Sequence, residues 1–175
     1  NPDVQFHAGM AHYMMGQELP ARLAFQRALD RTQEFPGRVE AQKRLAFLDL
    51  DPARTDAALI TSLQNQIRQQ PDDLPALLRL GAIYERTGAP DKARQVYEDA
   101  RKANPNSAAV LLQLAQLYGS SLKNPQQALV LAKEARKLAP EDAQIAYLLG
   151  RLAAQSGDNA WASSLLQESA QKLPG

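Results

Sequence analysis

Few residues in this chain combine type and spacing in a way that could do chemistry. Ser120-Ser121-Leu122-Lys123 fits S-x-x-K, in which a lysine amine beside a serine hydroxyl sets up acyl transfer. That chemistry also draws on companion motifs of the S-D-N and K-T-G kind, and the chain contains neither. A polar turn between two helices is the simpler reading. His7 and His12 lie five residues apart, which puts them on different sides of a helix and argues against joint metal ligation. They read as exposed or groove-lining histidines. The acidic residues mostly sit in turns or beside basic ones, as in Glu98-Asp99-Ala100-Arg101-Lys102, which is a solvated face. No isolated carboxylate pair of the sort acid–base catalysis uses stands out. The expectation is a non-enzyme with no catalytic, metal-binding or cofactor-binding residue.

The elements that must position these side chains follow from a repeating pattern. Prolines recur at 36, 71, 105, 140 and 174, in steps of 35, 34, 35 and 34 residues. Between Pro71 and Pro105, Leu77, Leu80, Gly81 and Tyr84 share one face of a first helix, at i, i+3, i+4 and i+7. Ala93, Tyr97 and Ala100 share one face of a second. Small Gly81 and Ala100 let two backbones approach. Gly88 suits a left-handed helix end and Pro90 the first residue of the next helix. One such hairpin cannot bury its apolar face alone, so neighbours must stack on it.

The same pattern divides the chain into units at about 2–36, 37–71, 72–107, 108–142 and 143–174. The first carries Ala8-Gly9, Gly16, Ala21, Phe25 and Ala28. The second is degenerate: Leu45-Ala46 keep its first helix, Asp51-Pro52 end it, and a second helix runs from about Thr55 to Gln70 with Leu59, Leu63 and Ile67 on one face. The fourth has Leu111, Leu114, Ala115, Tyr118, Ala128, Ala132 and Ala135, and one extra residue in its inner turn before Asn124-Pro125. The last has Leu149-Gly150, Gly157, Ala162 and Leu166. Helices are expected over about 74–87, 91–103, 108–119, 126–138, 143–155 and 159–172.

Composition narrows the function classes. Cysteine is absent, which removes disulfides, thiol nucleophiles and thiolate metal sites and leaves the redox compartment open. The 20 basic and 19 acidic residues nearly balance, and by repeat unit the net charges are −1, +1, 0, +1 and 0. No segment carries the basic stripe that a phosphate backbone needs, so nucleic acid is not an expected partner. No apolar run is long enough for a transmembrane helix. The chain starts with Asn1 instead of Met and reads as an excised piece.

The gaps between Leu77, Leu80, Gly81, Tyr84, Ala93, Tyr97, Ala100 and Pro105 resemble W-x₂-L-G-x₂-Y…A-x₃-F…A…P, the signature of the tetratricopeptide repeat. The resemblance implies an all-α fold, a right-handed α-solenoid of about five helix-turn-helix hairpins forming a single array over 1–175. The opening segment also resembles repeats of large bacterial cell-envelope proteins of this family. Together these imply a fragment of a larger bacterial protein, cytoplasmic or periplasmic and envelope-associated. In the family, first helices of successive repeats line a concave groove where partners bind. Carried onto this chain, the groove positions are Phe6, Met10, Tyr13, Lys43, Phe47, Leu78, Ala82, Glu85, Leu112, Gln116, Tyr147 and Arg151. Members that bind the C-terminal EEVD carboxylate of chaperones use Lys and Asn at the positions of Phe6/Met10 and Lys43/Phe47. Only Lys43 matches here, so that clamp is not expected.

The function this implies is a protein-interaction scaffold offering an apolar concave groove to a peptide or helix. Its N-terminal half, crowded with Phe6, Met10, Tyr13 and Phe47, is the expected centre of affinity. Gln116 and Arg151 would orient a polar or acidic end. The alternative is structural self-assembly into a homo-oligomer through apolar faces at the N-terminal end, where Phe6, Met10, Tyr13 and Met14 form one stripe and Ala8, Ala11 and Met15 another. A hydrolase is the remote third reading. Trp161, at the helix position of Lys92 and Gln127, either packs on the preceding repeat or anchors an interface. Ser163, Ser164, Gln167 and Gln171 give the last helix the polar outer face of a cap.

Overall fold

A computed structural model describes residues 1–30 and 34–172, and among these the chain is all α-helix, with ten helices and no strand. They are α1 (Pro2–Met14), α2 (Glu18–Leu29), α3 (Arg38–Leu48), α4 (Ala57–Gln69), α5 (Leu74–Arg86), α6 (Pro90–Ala103), α7 (Ala108–Ser120), α8 (Pro125–Leu138), α9 (Ala143–Gln155) and α10 (Asn159–Lys172). The six helices expected from α5 onward fall within one residue of their expected bounds. Pro174 lies outside the described residues.

Local chemistry sets these limits. Gly88 and Gly157 leave their helices with φ of 72° and 86°, and Gly16 does the same at 72°. A side chain at such φ clashes with the backbone, so glycine is the favoured residue. Pro90 and Pro125 open α6 and α8, where the missing N–H costs nothing. The recurring prolines sit in one turn used four times. In it the fourth residue's N–H donates to the first residue's carbonyl, as Asp73 to Gln70 (3.1 Å), Ser107 to Asn104 (3.2 Å) and Asp142 to Ala139 (3.2 Å). The fourth copy of the turn, Arg38 to Phe35, measures 3.1 Å. In the first three the fourth residue also caps the next helix through its side chain, with Asp73 Oδ1 accepting from the Ala76 N–H, Ser107 Oγ from Val110 and Asp142 Oδ1 from Ile145.

The chain forms two compact units, Asn1–Ile83 and Tyr84–Gly175. In the first, α1 packs on α2 and α2 on α3. Its core holds Tyr13, Phe25 and Leu48, all at 0% exposure, with Leu63 and Leu74. A Cβ on Gly9 would lie 2.6 Å from the Phe25 ring, so only glycine lets that ring lie flat on α1. In the second unit α7 packs on α8, α8 on α9, and α9 on α10. Leu114, Leu117, Leu131, Ile145 and Leu149 fill its centre with fully buried Ala115, Ala128, Ala132 and Ala135 between them. Gly150 serves the last pair of helices, since a Cβ there would stand 2.8 Å from Leu166 Cγ. Ion pairs tie the second helices of successive repeats: Arg101 to Glu134 at 3.0 Å and Arg136 to Glu168 at 2.6 Å.

The segment expected to be degenerate departs from the pattern mainly in its loop. α3 ends at Leu48, three residues before Asp51-Pro52, and the Asp51 carboxylate accepts from the Ala53 N–H (2.8 Å). α4 starts at Ala57, capped by Asp56 Oδ1 accepting from the Leu59 N–H at 3.0 Å.

Candidate functional site

The residues expected to dominate binding in the first unit are mostly core. Tyr13 is fully buried and Phe47 is 8% exposed. Their rings meet edge to face with centroids 6.1 Å apart. Phe6 is half-buried in an aromatic cluster, 6.4 Å from Phe25 and 5.9 Å from Phe35, and packs over Gly37. The expectation that Phe6, Tyr13 and Phe47 are groove anchors is corrected for Tyr13, which no partner can reach without opening the core; Phe47 is largely buried and shows only a small part of its surface. Glycines at 9 and 37 make the room into which these aromatics collapse. Met10 and Leu78 are half-buried and Lys43 is exposed.

Tyr13 is held by a buried polar network outside the expected groove set. Its hydroxyl donates to Asp73 Oδ1 (3.1 Å) and accepts from Arg44 Nη1 (3.2 Å). Arg44 Nη1 also pairs with Asp73 Oδ2, its Nη2 donates to Gln70 Oε1 (2.6 Å), and its Nε donates to Glu40 Oε1 (2.6 Å). Gln66 Nε2 completes the set at 2.8 Å from Asp73 Oδ2. The guanidinium stands 4.7 Å from the Tyr13 ring centroid. Arg79 is buried in a related way, donating to the Leu50 carbonyl (3.0 Å), lying 5.0 Å from the Phe47 centroid and facing Glu18. Burial, then the Asp73 charge, pushes the Tyr13 hydroxyl well above the usual phenol range. A readable signal did exist: Arg44 and Arg79 occupy the same repeat position, one before Leu45-Ala46 and Leu80-Gly81. A recurring arginine on an otherwise apolar face asks for a buried partner. Beside the network, Lys43 and Phe47 line an open cleft of about 550 Å³ faced by Ser62, Asn65, Gln66 and Gln69 of α4.

The second unit brings four expected groove residues to one place. Glu85 from the end of α5, Gln116 from α7, and Tyr147 and Arg151 from α9 line a cleft of about 310 Å³. Leu148 and Leu152, 7% and 4% exposed, form its apolar floor, with Gly119, Ser120 and Gln155 at the margins. Tyr147 is 47% exposed, and the Arg151 guanidinium lies 5.8 Å from its ring centroid. On the opposite side Glu85 Oε1 accepts from the Tyr97 hydroxyl at 2.8 Å. Burial lifts the Glu85 carboxyl above its ordinary range, against the pull of that hydrogen bond and of Arg86. The same burial, with Glu85 beside it, drives the Tyr97 hydroxyl far up.

The reactive-looking motifs resolve into ordinary structure. Ser120 Oγ donates to the Gln116 carbonyl (2.7 Å), a bond within its own helix that leaves no poised nucleophile. Lys123 holds the turn in a left-handed conformation, φ 50°. His12 Nδ1 bonds Gln17 Oε1 at 2.6 Å, and the His7 ring lies tilted against Phe6 with centroids 5.2 Å apart. Trp161 is half-buried beneath Lys133 of α8, with Nζ 5.1 Å from its centroid, so it packs on the preceding repeat.

Comparison with known proteins agrees with the helical repeat. Two family models, each described as tetratricopeptide repeat, match residues 74–117 and 112–175, together more than half of the chain. No curated protein matches. Among solved structures, a crystal structure of MamA has a TM-score of 0.63 at 18% identity, covering 94% of this chain and 93% of its own. A thermophilic tetratricopeptide repeat protein of Thermus thermophilus scores 0.63 at 24% identity, covering 99% of this chain and 92% of its own. A double mutant of MamA from RS-1 scores 0.61 at 15% identity, covering 98% and 93%.

Proposed function

Since the chain belongs to the tetratricopeptide repeat family, we propose that it is a non-catalytic interaction scaffold that holds a peptide or helix in the cleft between α7 and α9. The observation that carries this reading is the cleft itself. A half-exposed Tyr147 and an apolar floor of Leu148 and Leu152 stand beside polar groups on three helices. Small sites of this composition supply affinity through the aromatic and apolar surface, and orientation through a few polar groups. The helices are packed before any partner arrives, so little ordering cost is added on binding. The test is selection of random peptides on the full chain, followed by affinity measurement on Tyr147→Ala and Gln116→Ala. Selected peptides should lose about tenfold or more with Tyr147→Ala while helicity is retained. Peptides that bind both variants as well as the parent would place recognition elsewhere and sink the reading.

A second reading, self-assembly, has its own observation. Val4 (59% exposed), Ala8, Ala11 and Met15 (50%) share one side of the first helical segment, and Leu19 (66%) and Leu23 (43%) share one side of α2. Light scattering over a range of concentrations separates the two. A dimer that dissociates in Leu19→Glu supports assembly, and a monomer at every concentration removes it.

A further inference from the structure

The charges lining the α7/α9 cleft differ from the ion pairs that join helices of the same unit. Arg101, Arg136 and Lys172 each meet a carboxylate within the protein, at 3.0, 2.6 and 2.7 Å. Arg151 meets none among the described residues, and its guanidinium lies over the face of Tyr147. Stacking on a ring uses the face of a guanidinium and leaves its N–H edge free to fork onto a carboxylate. Glu85 feels the charge of Arg86, its neighbour in sequence, but burial outweighs that pull. One of its oxygens accepts from Tyr97 and the carboxylate is part-buried, so a cation placed there would relieve a charge that burial disfavours. Between them lies the apolar floor of Leu148 and Leu152.

Resting on the reading above, we propose that the occupant of this cleft is a mixed-charge peptide segment. An acidic side chain would sit on Arg151, a basic one on Glu85, and an apolar residue between them on the leucine floor. Charge complementarity makes the choice. A purely acidic segment would set a carboxylate against Glu85, and a purely basic one would set a cation against Arg151. Each of those juxtapositions carries a penalty that the mixed segment avoids.

The experiment takes a peptide selected on the full chain and neutralises it one residue at a time, acid to Gln and base to Gln. Affinity is measured by fluorescence anisotropy. Each neutralisation should weaken binding to the parent about five- to tenfold. In Arg151→Gln the acid neutralisation should lose its effect while the base neutralisation keeps it, and in Glu85→Gln the reverse. Glu85→Gln keeps an oxygen to accept from Tyr97, and circular dichroism checks that both variants fold. Peptides lost in Tyr147→Ala but indifferent to their own charges would overturn this inference and leave the cleft reading standing. Selection that yields no peptide sensitive to Tyr147→Ala would overturn both.

Discussion

Arg44→Met tests whether the buried network holds the first unit together. The Arg44 side chain is 10% exposed and its partner Asp73 1%. Removing the cation leaves a desolvated carboxylate, and breaking one side of such a pair costs about 3–5 kcal/mol. Asp73 would keep three donors: the Tyr13 hydroxyl at 3.1 Å, Gln66 Nε2 at 2.8 Å and the Ala76 N–H at 3.2 Å. Hydrogen bonds to a charged acceptor are worth about 1.5–3 kcal/mol each, so these survivors hold the loss to the lower end, about 3 kcal/mol. For a unit of this size that corresponds to a fall of about 12–24 °C in its transition. Asp73→Asn keeps the α5 cap but removes the charge, so adding it to Arg44→Met should restore part of the loss, with a coupling of about 1.5 kcal/mol or more. The assay is urea denaturation followed by far-ultraviolet circular dichroism, with equal slopes required before midpoints are compared. A loss under about 0.5 kcal/mol for Arg44→Met, or strict additivity in the double variant, would show that the network is not a stabilising unit.

Three further outcomes follow from the geometry. Gly150→Ala puts a Cβ 2.8 Å from Leu166 Cγ and 3.3 Å from the Ala162 carbonyl, so it should cost about 1–3 kcal/mol in thermal or urea unfolding, against a change within about 0.5 kcal/mol for Gln126→Ala on the exposed side of α8. Lys123→Gly relieves the only left-handed non-glycine among the described residues, where three of the other four inner turns use Gly16, Gly88 and Gly157; it should raise stability by up to about 1 kcal/mol, read as a higher urea midpoint. Tyr13 and Tyr97 have folded-state pKa values raised above the unfolded value of about 10, so the folded protein keeps protons that the unfolded chain loses. Stability is therefore complete below pH 10 and falls above it, by about 1.4 kcal/mol per pH unit for each tyrosine, and Tyr97→Phe should flatten the second unit's share of that loss in denaturation series from pH 8 to 11.

How much of this was legible in the sequence depended on the range of the interaction. Helix limits from 74 to 172 were readable because their causes are local: a proline turn, a capping Asp or Ser, a glycine two residues past a helix end. The cleft was partly readable, because Gln116 and Arg151 occupy equivalent positions of a regular repeat, Glu85 and Tyr147 lie one helical turn from that position in their own repeats, and regularity carries all four to one place. The first unit resisted for the opposite reason. Tyr13 looked like an exposed anchor because its fate depends on Asp73, 60 residues away, and on Arg44, 31 residues away. No periodicity encodes a hydrogen bond between two different repeats. Phe47 was misjudged similarly, since it packs against the Tyr13 ring and the Arg79 guanidinium from other helices.

The same arginine position shows how one repeat can be specialised for structure and another for contact. Arg44 and Arg79 stand one residue before the Leu-small pair of their helices, and both are drawn inside to carboxylates, carbonyls and aromatic faces. At the equivalent place the next repeats carry Gln113 and then Leu148, the latter in the floor of the cleft. With no inward arginine to satisfy, the last first-helix places its charge three residues later, at Arg151, on the exposed side. A guanidinium that is buried and fully partnered can only stabilise, whereas one resting on a tyrosine face with its N–H edge in water can still bind. The shift from Arg44 to Arg151 thus moves the basic group from core to surface without altering the backbone. It is the reason the search for a partner should begin at α9, where charge and aromatic surface are both uncommitted, and not among the larger aromatics of α1.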